Sequence, residues 1–477
     1  MFEKIKSGIL LFLIFLSIFL TYKLWFGQPP LEEETVPHYE DIYFTVPPLP
    51  SRIILPSKII YCDDKQGIHF FPRGCKGFEQ LCNKGLSIIK EKADLQNAKR
   101  ISISDLDGLI TTFSSRLVYH FDPSIPMDFI LEPPVFEEMP LEEAVFLWDE
   151  ESLYVVFQGE ENLLLPLGGV DNLKKALLPD FNKPHRLLPP LLELDLSPRE
   201  GNEGAPDNEG TPDIEEEAGG QGNFIVNEGE GIIQNEGHLS WKIEIKGDIY
   251  VPEEDILAAE VSLKEEEIDH EQFVRAFFID LSLARRIEER DGAIYYTDGE
   301  KGLRIYASGL VEFAFPRLER NLSGISYSLA LQKAAESLSL YGGWPPGIYL
   351  DRVDNLGRGY SLLWGPVSAG LAFKGEQTGC EMEIDEQGVS YYRRNIYSIE
   401  EDVSERKPFR SYEEALWRVL SLEKERFREK NPVLLLLEPV YYLPPSGGVV
   451  KKAIPAWAVR FEGMEVKYLH WNTLEPL

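Results

Sequence analysis

Seven histidines stand isolated along the chain, at His38, His69, His120, His185, His238, His270 and His470. An imidazole that works as a base or a metal ligand needs a partner at fixed spacing, and none of the seven has one nearby in sequence. His120 and His470 fall in strand-like stretches, where a packed or surface imidazole is the ordinary reading. Cys62, Cys75 and Cys82 lie close together and Cys380 is remote. A disulfide within the first three is open if that region faces an oxidising space. Zinc would need a Cys-x-x-Cys pair or a nearby histidine pair to complete a four-ligand set, and neither is present. There is no His-Glu-x-x-His, Gly-x-Ser-x-Gly, Ser-x-x-Lys or phosphate loop. Carboxylates are so numerous that a glycosidase-like pair is open in principle, but no pair stands out. Gly365-Pro366 and Pro345-Pro346 read as turn formers. The chain is therefore expected not to be an enzyme and to need no cofactor or metal.

The residues that point furthest are at the N-terminus. Lys4 and Lys6 precede an uncharged run from Ser7 to Tyr22, and Lys23, Trp25 and Phe26 follow. Lys23 can snorkel and the aromatics sit at an interface, so Ile5 to Phe26 is long enough to span a bilayer. Glu32, Glu33, Glu34, Glu40 and Asp41 follow, which keeps the basic flank inside and exports the rest. No small-residue cleavage site follows, so a retained anchor is expected rather than a cleaved signal. Leu10, Ile14, Ser17 and Thr21 share one helix face, and its small residues could let a partner helix approach.

The 477 residues carry 48 Lys and Arg against 80 Asp and Glu, a net charge of −32. Such a chain repels phosphate backbones, so no nucleic-acid partner is expected. Hydrophobic residues at 43% suffice for packed cores.

Periodicity places elements along the exported part. Arg52–Leu55 and Lys58–Tyr61 read as strands, Phe78–Asp94 as a helix, and Leu109–Phe121 and Ala144–Gln158 as strands. From Ser197 to Gly237 the chain is rich in Gly, Glu, Asn and Pro and reads as an acidic linker. His270–Ile287 and Ser326–Leu340 read as helices, each followed by a meander. Ser411-x-x-Glu414 is a capping box that opens a helix to Leu422, and two closing strands follow.

Several phrases are similar to a known family. Leu20-Thr-Tyr-Lys-Leu-Trp25 with Gln28-Pro29, and Phe113-Ser-Ser-Arg-Leu-Val-Tyr-His-Phe-Asp-Pro-Ser-Ile-Pro126, resemble YycH-type proteins. Ser326–Ala335, Ser411-Tyr-Glu-Glu-Ala-Leu416 and Pro455-Ala-Trp457 are similar to YycI-type and PepSY-like modules. The resemblance implies an α+β fold: an N-terminal transmembrane helix, then extracytoplasmic antiparallel-sheet and helix domains ending in tandem PepSY-like modules. The expected layout is a cytoplasmic tail at 1–6, the anchor at 7–26, a juxtamembrane segment at 27–51 and a YycH-like domain at 52–196. The acidic linker at 197–237, a first YycI-like module at 238–320 and a second, PepSY-like one at 321–477 complete it. The resemblance further implies a single-pass cell-membrane protein that regulates a sensor histidine kinase of a cell-wall-controlling two-component system. Its expected partners are that kinase, a related membrane-anchored regulator and the lipid bilayer. The alternative is an exported PepSY-type inhibitor or binding module acting on a wall hydrolase or protease.

Overall fold

The computed structural model describes residues 45, 53, 55–62, 67–75, 77–92, 97–113, 115–131, 139–149, 152–167, 185–195, 232–235, 238–252, 255–265, 270–278, 283–316, 324–345, 347–375, 379–395, 397–401, 406–427, 431–444 and 451–477. The expected anchor and most of the acidic segment lie outside these residues. Among the described residues no helix is long and apolar enough to cross a membrane. The fold is α+β, with antiparallel and mixed sheets and five α-helices among the described residues.

The first unit runs through β1 (Lys58–Cys62), β2 (Ile68–Pro72), α1 (Phe78–Lys92), β3 (Lys99–Ile101), α2 (Ile103–Thr112), β4 (Ser115–Pro126), β5 (Pro140–Trp148), β6 (Leu153–Gly159) and β7 (Asn162–Pro166). Its strands form one sheet in the order β2-β1-β4-β5-β6-β7-β3. Alternation along β4 buries Leu117, Tyr119 and Phe121 on the face packed by Leu81, Leu86 and Ile89 of α1. The other face packs Val145, Leu147 and Val156 against Leu106 of α2. The strand expected from Leu109 is instead the end of α2. Ser102 caps that helix by accepting from the Asp105 amide at 3.2 Å, while the Asp105 carboxylate accepts from Ser102 N. This box satisfies amides that a helix start leaves open, and its Ser-x-x-Asp signal was legible in the sequence.

The chain continues as β8 (His185–Leu187), β9 (Leu191–Asp195), β10 (Ile232–Asn235), β11 (His238–Ile245), β12 (Tyr250–Pro252), β13 (Leu257–Ala258) and β14 (Val261–Glu265). β9 pairs antiparallel with β11, and β8 with β12. The strands that flank the acidic segment are thus hydrogen-bonded neighbours in one sheet.

Two helix-then-meander units follow. The first is α3 (His270–Phe277), β15 (Arg285–Glu288), β16 (Ile294–Thr297), β17 (Gly302–Ile305) and β18 (Leu310–Ala314). The second is α4 (Tyr327–Leu340), β19 (Ile348–Asn355), β20 (Gly359–Ser368), β21 (Leu371–Gly375), β22 (Cys380–Asp385) and β23 (Gly388–Asn395). β18 pairs with β23, which joins the meanders edge to edge in the order β15-β16-β17-β18-β23-β22-β20-β19. The expected helix to Ile287 ends at Phe277, and Arg285 already belongs to β15. Phe277 seals the junction, with its ring 4.0 Å from Tyr341 and 4.7 Å from Phe313. The opposite face carries Arg304, Glu312, Arg393 and Glu381 in one cross-strand row, as a solvated face should.

The last unit holds β24 (Tyr397–Glu401), β25 (Lys407–Pro408), α5 (Tyr412–Leu422), β26 (Val433–Leu443), β27 (Lys451–Phe461) and β28 (Lys467–His470). The expected capping box is present: Ser411 Oγ accepts from Glu414 N at 3.3 Å, and Glu414 Oε2 accepts from Ser411 N at 3.2 Å. α5 buries Ala415, Leu416, Val419 and Leu420 against Leu437, Trp457 and Val459. β26 is antiparallel to β27 but parallel to both β11 and β21, so this sheet is mixed.

Two main cores result, and they do not follow chain order. The first unit and the paired meanders share one continuous core, from Ile59 and Phe78 through Tyr349 to Tyr392. The last unit, with β9, β11 and β14, has its own.

Candidate functional site

Where the three units meet they enclose an open cavity of about 1500 Å³. The first unit contributes Lys58 from β1, Arg73 after β2 and Asp122 from β4. The second meander contributes Tyr349 and Asp351 from β19 and Lys374 from β21. The last unit contributes Glu438 from β26 and Tyr468 from β28, and Asp248 and Tyr250 close one side. Such a concave space with a few convergent polar groups is the default place to look for binding.

Local irregularities aim these side chains. β4 slips register against β5 between His120 and Ile125, and Asp122 lies within the slip, exposed to the cavity. On β26 a bulge falls between Leu434 and Leu436. Leu434 belongs to the core under α5, and simple alternation from it would turn Glu438 inward as well. The extra residue shifts the parity. Leu437, Tyr441 and Leu443 face that core, while Glu438 shares the other face with Val440 and Ala458.

The charges are interlocked. Lys374 Nζ lies 3.1 Å from Asp351 Oδ1. Burial alone would pull the Lys374 ammonium down, but Asp351 and Glu438 outweigh it and raise its pKa. Burial raises the Glu438 carboxyl above its ordinary 4.5, against the opposing pull of Lys374 and Lys58. Lys58 is lowered by burial, although Asp248, Glu143 and Asp122 oppose the shift. Its ammonium lies 5.2 Å from the centre of the Tyr250 ring.

Arg73 fastens this cavity. Its guanidinium donates to Pro56 O at 2.9 Å, Leu350 O at 2.8 Å and Asp122 O at 3.3 Å. Burial brings its pKa down to about 10, so it stays charged at neutral pH. Two further bonds tie the first unit to α4: Tyr327 donates to Ser124 O at 2.9 Å, and Ser328 to Asp128 Oδ1 at 2.6 Å.

The residues weighed from sequence are dispersed. Leu10, Ile14, Ser17 and Thr21 lie outside the described residues. His120 lines the cavity and holds Glu143 Oε1 at 3.0 Å. His470 Nδ1 accepts from the amides of Asn472 and Thr473 at 3.3 and 3.2 Å, which makes it a turn cap. Burial keeps its pKa below the ordinary value, although Glu260 and Glu475 oppose the shift. The four cysteines are free thiols, and burial pushes Cys75 up to about 11 and Cys380 up to about 12. Among the described residues no group of His, Cys, Asp or Glu could hold a metal ion. Lys58, Arg73, Asp122, Asp351, Lys374 and Glu438 were not singled out from sequence. They come from different units, and no motif links them.

No family model matches the chain, and no curated protein matches it. Among solved structures the chain is similar to an uncharacterized protein from Eubacterium rectale ATCC 33656, at 11% identity and a TM-score of 0.36, over 53% of this chain and 92% of that one. It is also distantly similar to the C-terminal domain of Bacillus megaterium YpeB, at 12% identity and a TM-score of 0.27, over 45% of this chain and 96% of that one.

Proposed function

We propose that the chain is a membrane-tethered, non-catalytic regulator whose bulk lies outside the cytoplasm and biases a sensor histidine kinase through its N-terminal helix. The observations that carry this reading are the cavity built jointly by three units and, in the sequence, a lysine-fronted apolar N-terminus. A ligand held there touches all three units, so its binding energy depends on how they are arranged. A helix packed beside kinase helices needs a preference of only about 1–3 kcal/mol between two states to change output five- to hundredfold. The test is to replace the Leu10, Ile14, Ser17 and Thr21 face with a poly-leucine face and measure kinase-dependent transcription. A changed output at equal protein level is expected. Output that stays the same removes helix docking from the mechanism.

A further inference from the structure

β15 is the outermost strand of the joined meanders, and its strand partner among the described residues is β16. β14, which precedes it along the chain, is taken by β24 on one edge and β27 on the other. All the residues of β15 are exposed, and Ile287 leaves 47% of its surface open. The pairing with β16 fixes where its backbone points. Glu289 N donates to Ala293 O at 2.8 Å across the same pair of strands. Hydrogen-bonding direction alternates along a strand, so Arg285 and Ile287 also turn toward β16. Arg286 and Glu288 therefore aim their N–H and C=O groups at the open side.

An open edge is a template for another strand, and charge on it ordinarily keeps strands away. On β15 and the residue after it the charges are ordered. Arg285-Arg286-Ile287-Glu288-Glu289 is basic on one side of the isoleucine and acidic on the other. Consider two copies running antiparallel about a two-fold axis. Outward-pointing residues must face outward-pointing ones, so the axis passes at a residue rather than between two. That residue then faces itself. An axis at either arginine or either glutamate sets like charge on like charge, which is destabilising. An axis at Ile287 instead opposes Arg286 to Glu288 of the second copy, once on each side, and covers one exposed isoleucine with the other. Arg286 Nη1 already lies 2.6 Å from Glu288 Oε1 in the same chain, so this register merges two ion pairs into one cluster of alternating charge. The outer pair, Arg285 with Glu289 of the second copy, adds less, because Arg304 already holds Glu289.

We propose that β15 is a self-association edge: two copies of this chain pair antiparallel about Ile287 and join their meander sheets into one continuous sheet. The pairing covers about five residues a side, short of the roughly 1,200 Å² of a stable interface, so the dimer is weak and forms where the chain is concentrated. The charges select one register and one partner, a second copy, and repel the others.

At the axis the two Ile287 form a non-hydrogen-bonded pair, with Cα atoms about 4.5 Å apart, within reach of a disulfide. The experiment takes the full chain in detergent solution, with Ile287→Cys, Arg286→Cys and Glu288→Cys made singly, and oxidises each with copper phenanthroline. The native chain, with Cys62 and Cys75 half-buried and Cys82 and Cys380 buried, sets the background. Covalent dimer about tenfold above background is expected for Ile287→Cys, and near background for the other two, which do not meet themselves across the axis. Adding Arg286→Glu to Ile287→Cys should lower the yield about tenfold, and adding Glu288→Arg should do the same, because each makes both facing pairs repulsive. Mixing these two double variants under different tags should restore a mixed dimer, since each copy supplies the charge the other lacks. Every substituted position is exposed, and circular dichroism checks the fold. Ile287→Cys yield at background, equal yields at all three cysteine positions, or no mixed dimer on mixing overturns the proposal. The yields are read without a kinase or a bilayer, so this proposal and the regulatory reading fail separately.

Discussion

Glu438 shows how much one side chain can report. Burial is the larger influence on its carboxyl and raises its pKa above 4.5, against the opposing charges of Lys374 and Lys58. A carboxyl that holds its proton more tightly in the folded state stabilises the fold below its unfolded pKa. That contribution is lost as the pH rises through the folded value. Glu438→Gln removes the titration. Its melting temperature should exceed that of the native chain at pH 7, and the gap should close by pH 4. A constant gap across this range would show that Glu438 does not carry the dependence. The histidines teach the opposite lesson. His470 reads in the sequence as an ordinary packed or surface imidazole, and its Nδ1 accepts from two backbone amides of a turn.

At the scale of elements, the helices are the most legible parts. The capping box at Ser411 fixed the start of α5 from four residues, because the bonds that satisfy a helix start are local. Ser411→Ala should cost about 1 kcal/mol in urea unfolding, the usual loss for a capping hydroxyl. A loss near zero would mean that packing of α5 alone holds its first turn. α2 carries the same signal at Ser102 and Asp105, yet its apolar residues read as a strand. Short apolar runs are ambiguous between the two periods. β26 was harder still. Leu434 to Leu437 are four identical side chains, so nothing in their order shows where alternation slips. Deleting one leucine should remove the bulge and leave Glu438 facing the cavity, at a cost of no more than about 2 kcal/mol. Thermal melting tests this, and a loss well beyond that would place the irregularity elsewhere in the strand.

At the scale of the whole molecule, directional contacts between units come from particular side chains. Arg73 is the clearest, since its guanidinium reaches Pro56 and Asp122 of the first unit and Leu350 of the second meander. A lysine at this position could not span three carbonyls, because a compact ammonium lacks the planar fork. Arg73→Lys should therefore cost about 1–3 kcal/mol in denaturant unfolding, the usual loss when buried acceptors go unmatched. Faster hydrogen exchange at β19 than at β27 would localise the loss, and uniform exchange would count against a clasp. The acidic segment between β9 and β11 also belongs to this scale. In sequence it reads as a tether between domains, whereas the strands at its ends are paired to each other.

The sequence by itself determined the parts governed by neighbours along the chain. These are the helix starts other than that of α2, the alternation of the meander strands, the acidic stretch and the apolar lysine-fronted beginning. Propensity, capping and hydropathy act over a few residues, so they leave their signature there. Only the tertiary structure decided that two meanders share one sheet, that the first unit joins their core, and that β26 pairs with antiparallel β27 on one edge and with parallel β11 and β21 on the other. Pairing between distant strands depends on which edges and faces meet in space, and a one-residue slip reverses every side chain. The cavity charges follow the same rule: Lys58, Asp122, Asp351, Lys374 and Glu438 span most of the chain and become neighbours only when three units close around them.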